Sequence, residues 1–127
     1  MKAVVQIAVG EPASALALRE IPTPDAPHDD NVVIGVDLAS VRHGDLFRAR
    51  QVRSLPSDCG YIERGNEAVG TIKAVGTNVA EAGELRVGDR VTSFLALYSW
   101  AERIECPATN VVKAPDDLPD TVAAQSS

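Results

Sequence analysis

The sequence predicts a mainly β domain: a small, partly open β-barrel with short helices and glycine-rich turns. Two observations carry this reading. Short runs of β-branched residues alternate with polar ones and are separated by Gly, Pro, Asn and Asp. Aromatic residues are only 4% of the chain against 45% apolar residues overall, so Val, Ala, Leu and Ile must build the core.

In chain order, Lys2 to Ala8 reads as a first strand, ended by a turn at Gly10-Glu11-Pro12. Leu16 to Ile21 is the return strand. The Pro- and Asp-rich stretch Pro22–Asn31, with His28 solvated in it, cannot enter a central sheet. Val32 to Ser40 is the strongest strand signal, placing Val32, Ile34, Val36 and Leu38 on one face. Asp45 then opens a short helix with Leu46 and Ala49 inward and arginines outward. Gln51–Arg64 has no period and reads as a loop. Gly65–Gly76 is a strand punctured by glycines. Thr77–Arg86 is turn-like and charged, and Val87–Phe94 is a tight turn feeding another strand. Tyr98–Cys106 alternates with Tyr98, Trp100, Glu102 and Ile104 on one side, and Asn110–Pro115 is a last short strand. That makes about seven strands. Asp120 then caps a helix that the chain enters near residues 119–127, so the expectation is one domain over 1–127, truncated at the start of that helix.

At 127 residues a single domain is the default, and the formal charge of −6 argues against a nucleic-acid surface. The basic residues gather only at Arg42, Arg48, Arg50 and Arg53, a pattern expected of a solvated helical face. Cys59 and Cys106 are far apart and form no CxxC, which argues against a structural zinc and a secreted disulfide scaffold. No run approaches the ~18 apolar residues of a membrane span, and Met1-Lys2 leads straight into a strand; a cytoplasmic protein is expected.

The stretch Glu63–Gly76 organises the rest. Gly65, Gly70 and Gly76 interrupt an otherwise strand-like run, and Asn66-Glu67 sits at its entrance. Glycine is used where the backbone takes positive φ or where another group approaches closely, so such a strand reads as the wall of a site, or as a bulge or barrel corner.

Taken together, Met1-Lys2-Ala3-Val4, Val32–Ser40 followed by Asp45, Gly65-x-Glu67-x-x-Gly70 with Val75-Gly76, Gly88-Asp89-Arg90-Val91, and Leu118-Pro119-Asp120 with Ala123-Ala124 run nearly end to end. In that order and spacing the chain resembles the N-terminal, chaperonin-10-like (GroES-like) domain of the medium-chain dehydrogenase/reductase superfamily. The resemblance implies catalysis in a cleft shared with a nucleotide-binding Rossmann domain. Gly65-x4-Gly70-x5-Gly76 is not GxGxxG, and no dinucleotide-type strand-turn-helix follows it. NADPH or NADH is therefore expected only with a Rossmann partner domain.

Zinc-dependent members of the superfamily place a Cys at the position of Arg42 and a His at the position of Asn66, with a proton-relaying Ser or Thr at Gly44. Arg stays protonated and a neutral amide is a poor ligand, so no zinc and no other metal is expected. What remains resembles the zinc-independent branch, the quinone oxidoreductases and 2-enoyl thioester reductases. For that branch the resemblance implies Tyr61, Asn66 and Glu67 as catalytic residues, and Arg42, His43 and Asp45 at the cofactor. Asp45 and Glu67 also have a plainer reading, as groups that cap or pair with Arg42 and His43.

The expected function is thus the substrate-side domain of a zinc-independent NAD(P)H-dependent oxidoreductase. It would reduce an activated C=C or quinone by hydride transfer and be incomplete or inactive alone. Its small-molecule partner would be an enone, quinone or enoyl thioester, its protein partner a missing Rossmann domain or a second copy in a dimer. The alternative is a stand-alone GroES-like binding or self-assembling module without catalysis.

Overall fold

The computed structural model describes residues 1–94, 98–115 and 119. Two antiparallel sheets carry the fold. The first has order β2-β1-β4, from β1 (Lys2–Gln6), β2 (Leu16–Glu20) and β4 (Ile62–Glu63). The second has order β7-β3-β5-β6-β8, from β3 (Asn31–Ala39), β5 (Ala68–Val75), β6 (Arg90–Ser93), β7 (Arg103–Pro107) and β8 (Val111–Lys113). Among the described residues three short α-helices interrupt them, α1 (Pro12–Ala15), α2 (His43–Arg50) and α3 (Thr77–Ala82), with a 3-10 turn at Ala108–Asn110. The mainly β, partly open architecture is the one expected.

Small branched residues make the core. Val32, Ile34, Ala68, Ile72, Val91, Ile104 and Val111 pack inside the larger sheet, with Val79 of α3 beside them. A smaller cluster of Ala3, Val5 and Ile21 lies under the first sheet. The sheets are joined through Ala101, which bridges to Ala3, while the Val4 amide donates to the Trp100 carbonyl at 2.8 Å. β3 and β5 approach so closely that a Cβ on Gly70 would strike the Gly35 carbonyl, which explains a glycine in mid-strand.

Several elements differ from expectation. In β3, Val32 and Ile34 face the core, but Leu38 is 40% exposed. Pairing with β5 shifts register between Val36 and Leu38, and one extra residue flips the side chains beyond it. Ile62–Glu63, expected as loop, pairs with β1 and gives eight strands among the described residues. Pro12, expected as turn, starts α1, because Pro suits the first helical turn. Thr77–Ala82 is a helix closed by Gly83 at φ 74°, whose amide donates to the Val79 carbonyl. One inward residue, Val79, is too little for a periodic signal. Tyr98–Cys106 is not one strand: β7 begins at Arg103, and Tyr98 has φ 116°. The helix expected from Asp120 lies outside the described residues.

Cys106 faces this core and Cys59 is exposed. Burial, with Glu105 next to it, pushes the Cys106 thiol up to about 12. At neutral pH an aromatic disulfide reagent should therefore titrate Cys59 alone in the native chain and both thiols in urea. Rapid reaction of both without denaturant would contradict the packing.

Candidate functional site

The site forms where β3 ends, α2 begins and the Gly65 stretch enters β5. Arg42 has extended backbone and caps α2, so the helix starts two residues before the expected Asp45. Asp45 reaches back instead: its Oδ2 accepts from the Arg42 amide at 2.9 Å and its Oδ1 from Arg48 Nη2 at 2.7 Å. Both carboxylate oxygens of this buried residue (2% exposed) are thus occupied in holding the helix entrance.

Across the cleft, Glu67 is buried (3% exposed) and takes the Arg42 guanidinium on both oxygens, at 2.8 and 3.0 Å. Both contacts come from the one nitrogen Nη2, a charge-assisted bond that straddles the carboxylate. The Arg42 side chain remains half exposed, so its outer face is open to the cleft. The structure thereby brings Arg42, Asp45 and Glu67 into one assembly. Asn66 lies between them in sequence, and its Oδ1 is buried without a hydrogen-bond partner.

Two candidates stand apart. His43, the first residue of α2, is exposed. Tyr61 packs against the Ala3, Val5 and Ile21 cluster. Burial, and then the nearby Glu63 carboxylate, raise its phenol above the ordinary value. No hydrogen bond joins Tyr61 to Asn66 or Glu67 among the described residues.

A polar relay missed in the sequence supports the assembly from behind. Gln6 is fully buried; its Nε2 donates to the carbonyls of Ala49 (2.8 Å) and Ala8 (3.1 Å). Its Oε1 accepts from Arg64 Nη2 and Nε at 2.6 and 3.0 Å. Gln6 therefore ties the last turn of α2 to the residue preceding Gly65. A lone amide in the apolar run Val4-Val5-Gln6-Ile7 was the available signal. Gln6→Leu should cost about 2–3 kcal/mol, since it strands Arg64 and the Ala49 carbonyl without partners. Urea unfolding measures this; an unchanged midpoint would remove Gln6 from the scaffold.

Gly65 has φ 110°, and the amides of Ser99 and Trp100 would both lie 2.8 Å from any Cβ there. The Gly65 carbonyl accepts from the Tyr98 amide at 3.1 Å. Trp100 Nε1 donates to the Ser40 carbonyl at 3.0 Å, so the indole is a wall joining β3's exit to this loop. Ser40 and Ser99 hydroxyls are buried without partners, as is the Asn66 oxygen.

The model of the alcohol dehydrogenase GroES-like domain matches residues 28–116, which include the whole Arg42–Asp45–Glu67 assembly. The chain belongs to that family. This GroES-like domain is 30% identical to an acryloyl-coenzyme A reductase of Sulfurisphaera tokodaii, over 94% of the chain and 41% of the relative. It superposes on mycobacterial Rv1454c, solved in complex with NADPH, with a TM-score of 0.85 at 31% identity. That match covers 99% of the chain and 37% of Rv1454c. A quinone oxidoreductase of Pseudomonas syringae gives a TM-score of 0.79 at 27% identity, covering 97% and 36% respectively. The chain thus spans about two-fifths or less of the length of these relatives.

Proposed function

We propose that this GroES-like domain is the substrate-side wall of a cytoplasmic, zinc-independent NADPH-dependent oxidoreductase that reduces a quinone or an activated C=C. One observation carries the reading: a buried carboxylate, Glu67, holds a guanidinium at the position where zinc-dependent relatives need a thiolate. A permanent cation repels Zn2+, and its partner carboxylate is already committed to it. The residues present do not fit a catalytic zinc, and no step is assigned to one.

They do fit a nicotinamide acceptor site. The unpartnered Asn66 Oδ1 is a buried acceptor suited to the N–H of a carboxamide. The exposed His43, the first residue of α2, suits the phosphates of the cofactor. When bound, NADPH supplies a hydride to the electron-poor carbon of the acceptor. Arg42 orients the acceptor carbonyl and stabilises charge developing on its oxygen. Tyr61, a phenol outside the Arg42–Glu67 assembly and protonated at neutral pH, is the side-chain donor assigned to the neighbouring carbon. Asp45 and Glu67 act as positioning residues, since their oxygens are occupied by Arg42 and Arg48.

This reading requires a Rossmann half, from the same gene product or a second chain. The test is to express the whole gene product and follow loss of NADPH absorbance with a quinone and with an enoyl thioester. Oxidation with either acceptor supports the reading. A product with no nucleotide-binding segment, no NADPH oxidation and a stable self-assembled state would instead establish the non-catalytic module.

A further inference from the structure

A second feature lies beside the catalytic assembly, in a cleft of about 200 Å3 lined by Asp45, Arg48, Glu63, Arg64, Gly65 and Tyr98. Its charges are unevenly used. Asp45 is occupied by Arg48 and by the Arg42 amide, as described above. Arg64 has only a neutral partner, the Gln6 carbonyl oxygen, on Nε and Nη2; no described residue accepts from its Nη1. Its positive charge therefore faces the cleft without a carboxylate in contact. Burial and then the neighbouring Arg48 cation lower its proton affinity, with the Asp45 carboxylate offsetting them in part. Arginine nevertheless stays protonated at any working pH.

Two further observations mark the place. Tyr98 is the one non-glycine residue at positive φ among the described residues, and it is half exposed. Strain of this kind in a bulky residue persists where surrounding structure enforces it, and it concentrates at binding sites. Tyr98 lines the same cleft as Arg64. Against these stands Glu63, whose carboxyl is raised above its ordinary value by burial and which makes no ion pair among the described residues.

We propose that this cleft binds an oxyanion, a carboxylate or a phosphate, of the substrate, with Arg64 as the fixed cation, Arg48 as the second and Tyr98 as a hydroxyl donor. The guanidinium edge left free on Arg64 has the planar donor geometry that such oxygens match. The cleft includes Gly65, next to Asn66, so an acceptor anchored there would extend toward the Arg42–Glu67 pair. Reading the anion as part of the substrate rests on the oxidoreductase proposal; the binding itself does not.

The test uses the 127-residue chain without NADPH, so its outcome is independent of turnover. Amide chemical shifts of Gly65 and Tyr98 are followed during titration with crotonate, inorganic phosphate and neutral crotonamide. Saturable shifts with crotonate or phosphate, absent with crotonamide and weakened by added salt, are expected. Displacement of crotonate by phosphate would assign the site to a phosphorylated ligand, and its failure to a carboxylic acid. Arg64→Gln should weaken the anion roughly tenfold or more, and Arg48→Gln less. Glu63→Gln, which leaves the Gln6–Arg64 bonds intact, should tighten it. If neither anion shifts these amides, or if Glu63→Gln and Arg48→Gln both leave the affinity unchanged, the proposal is overturned.

Discussion

Gly65→Ala is expected to destabilise the chain by about 3 kcal/mol or more. Two costs add. An alanine at φ 110° bears strain of roughly 1–3 kcal/mol, and its Cβ would meet the Ser99 hydroxyl and two backbone amides that cannot simply rotate away. Relief would require moving the Tyr98–Trp100 segment, which is bonded through Tyr98 to Gly65 and through Trp100 to the Arg64 carbonyl. Urea-induced unfolding measures the loss. A penalty under about 0.5 kcal/mol, the scale of an ordinary surface change, would show that the Gly65 turn is not built as described.

Breaking the Arg42–Glu67 pair from the exposed side has the second large effect. Arg42→Met leaves the Glu67 carboxylate, with only 4% of its side chain exposed, without its cation. A fully buried pair broken this way costs ~3–5 kcal/mol. Solvent already screens the half-exposed guanidinium, so about 2 kcal/mol is expected here. Adding Glu67→Gln should recover most of the loss, because the uncompensated charge is then gone. A double-mutant cycle in urea reads both numbers. If the two single losses simply add, the pair is not a coupled unit.

Much of the fold was legible because it rests on local pattern. The β-branched run of β3, the turn before β6 and the glycine-led β5 each announce themselves within a few residues. What escaped depends on tertiary context. Ile62–Glu63 has no alternation to reveal it and becomes a strand only by pairing with β1. The exposure of Leu38 follows from a register shift that a single strand's sequence does not contain. Tyr98 looked like part of an alternating strand, yet its backbone is turned out of that path.

The site shows the same division. Arg42, Asp45, Asn66 and Glu67 stood out by residue type and spacing, and three of them share direct bonds. The plainer reading of Asp45 and Glu67 describes the observed contacts: both engage Arg42, by its amide and its guanidinium respectively. Gln6 and Arg64 were invisible as a pair because 58 residues separate them, and nothing in either segment points to the other. Arg64 became informative only once its partner proved to be neutral.

The proposed zinc-independent reduction rests on a guanidinium–carboxylate pair where zinc-dependent relatives hold a metal. The most direct measurement sets the zinc content of the purified whole gene product against its rate of NADPH oxidation before and after a chelator. Far less zinc than protein and an unchanged rate are expected. Stoichiometric zinc whose removal abolishes the rate, and whose return restores it, would contradict zinc-independent reduction.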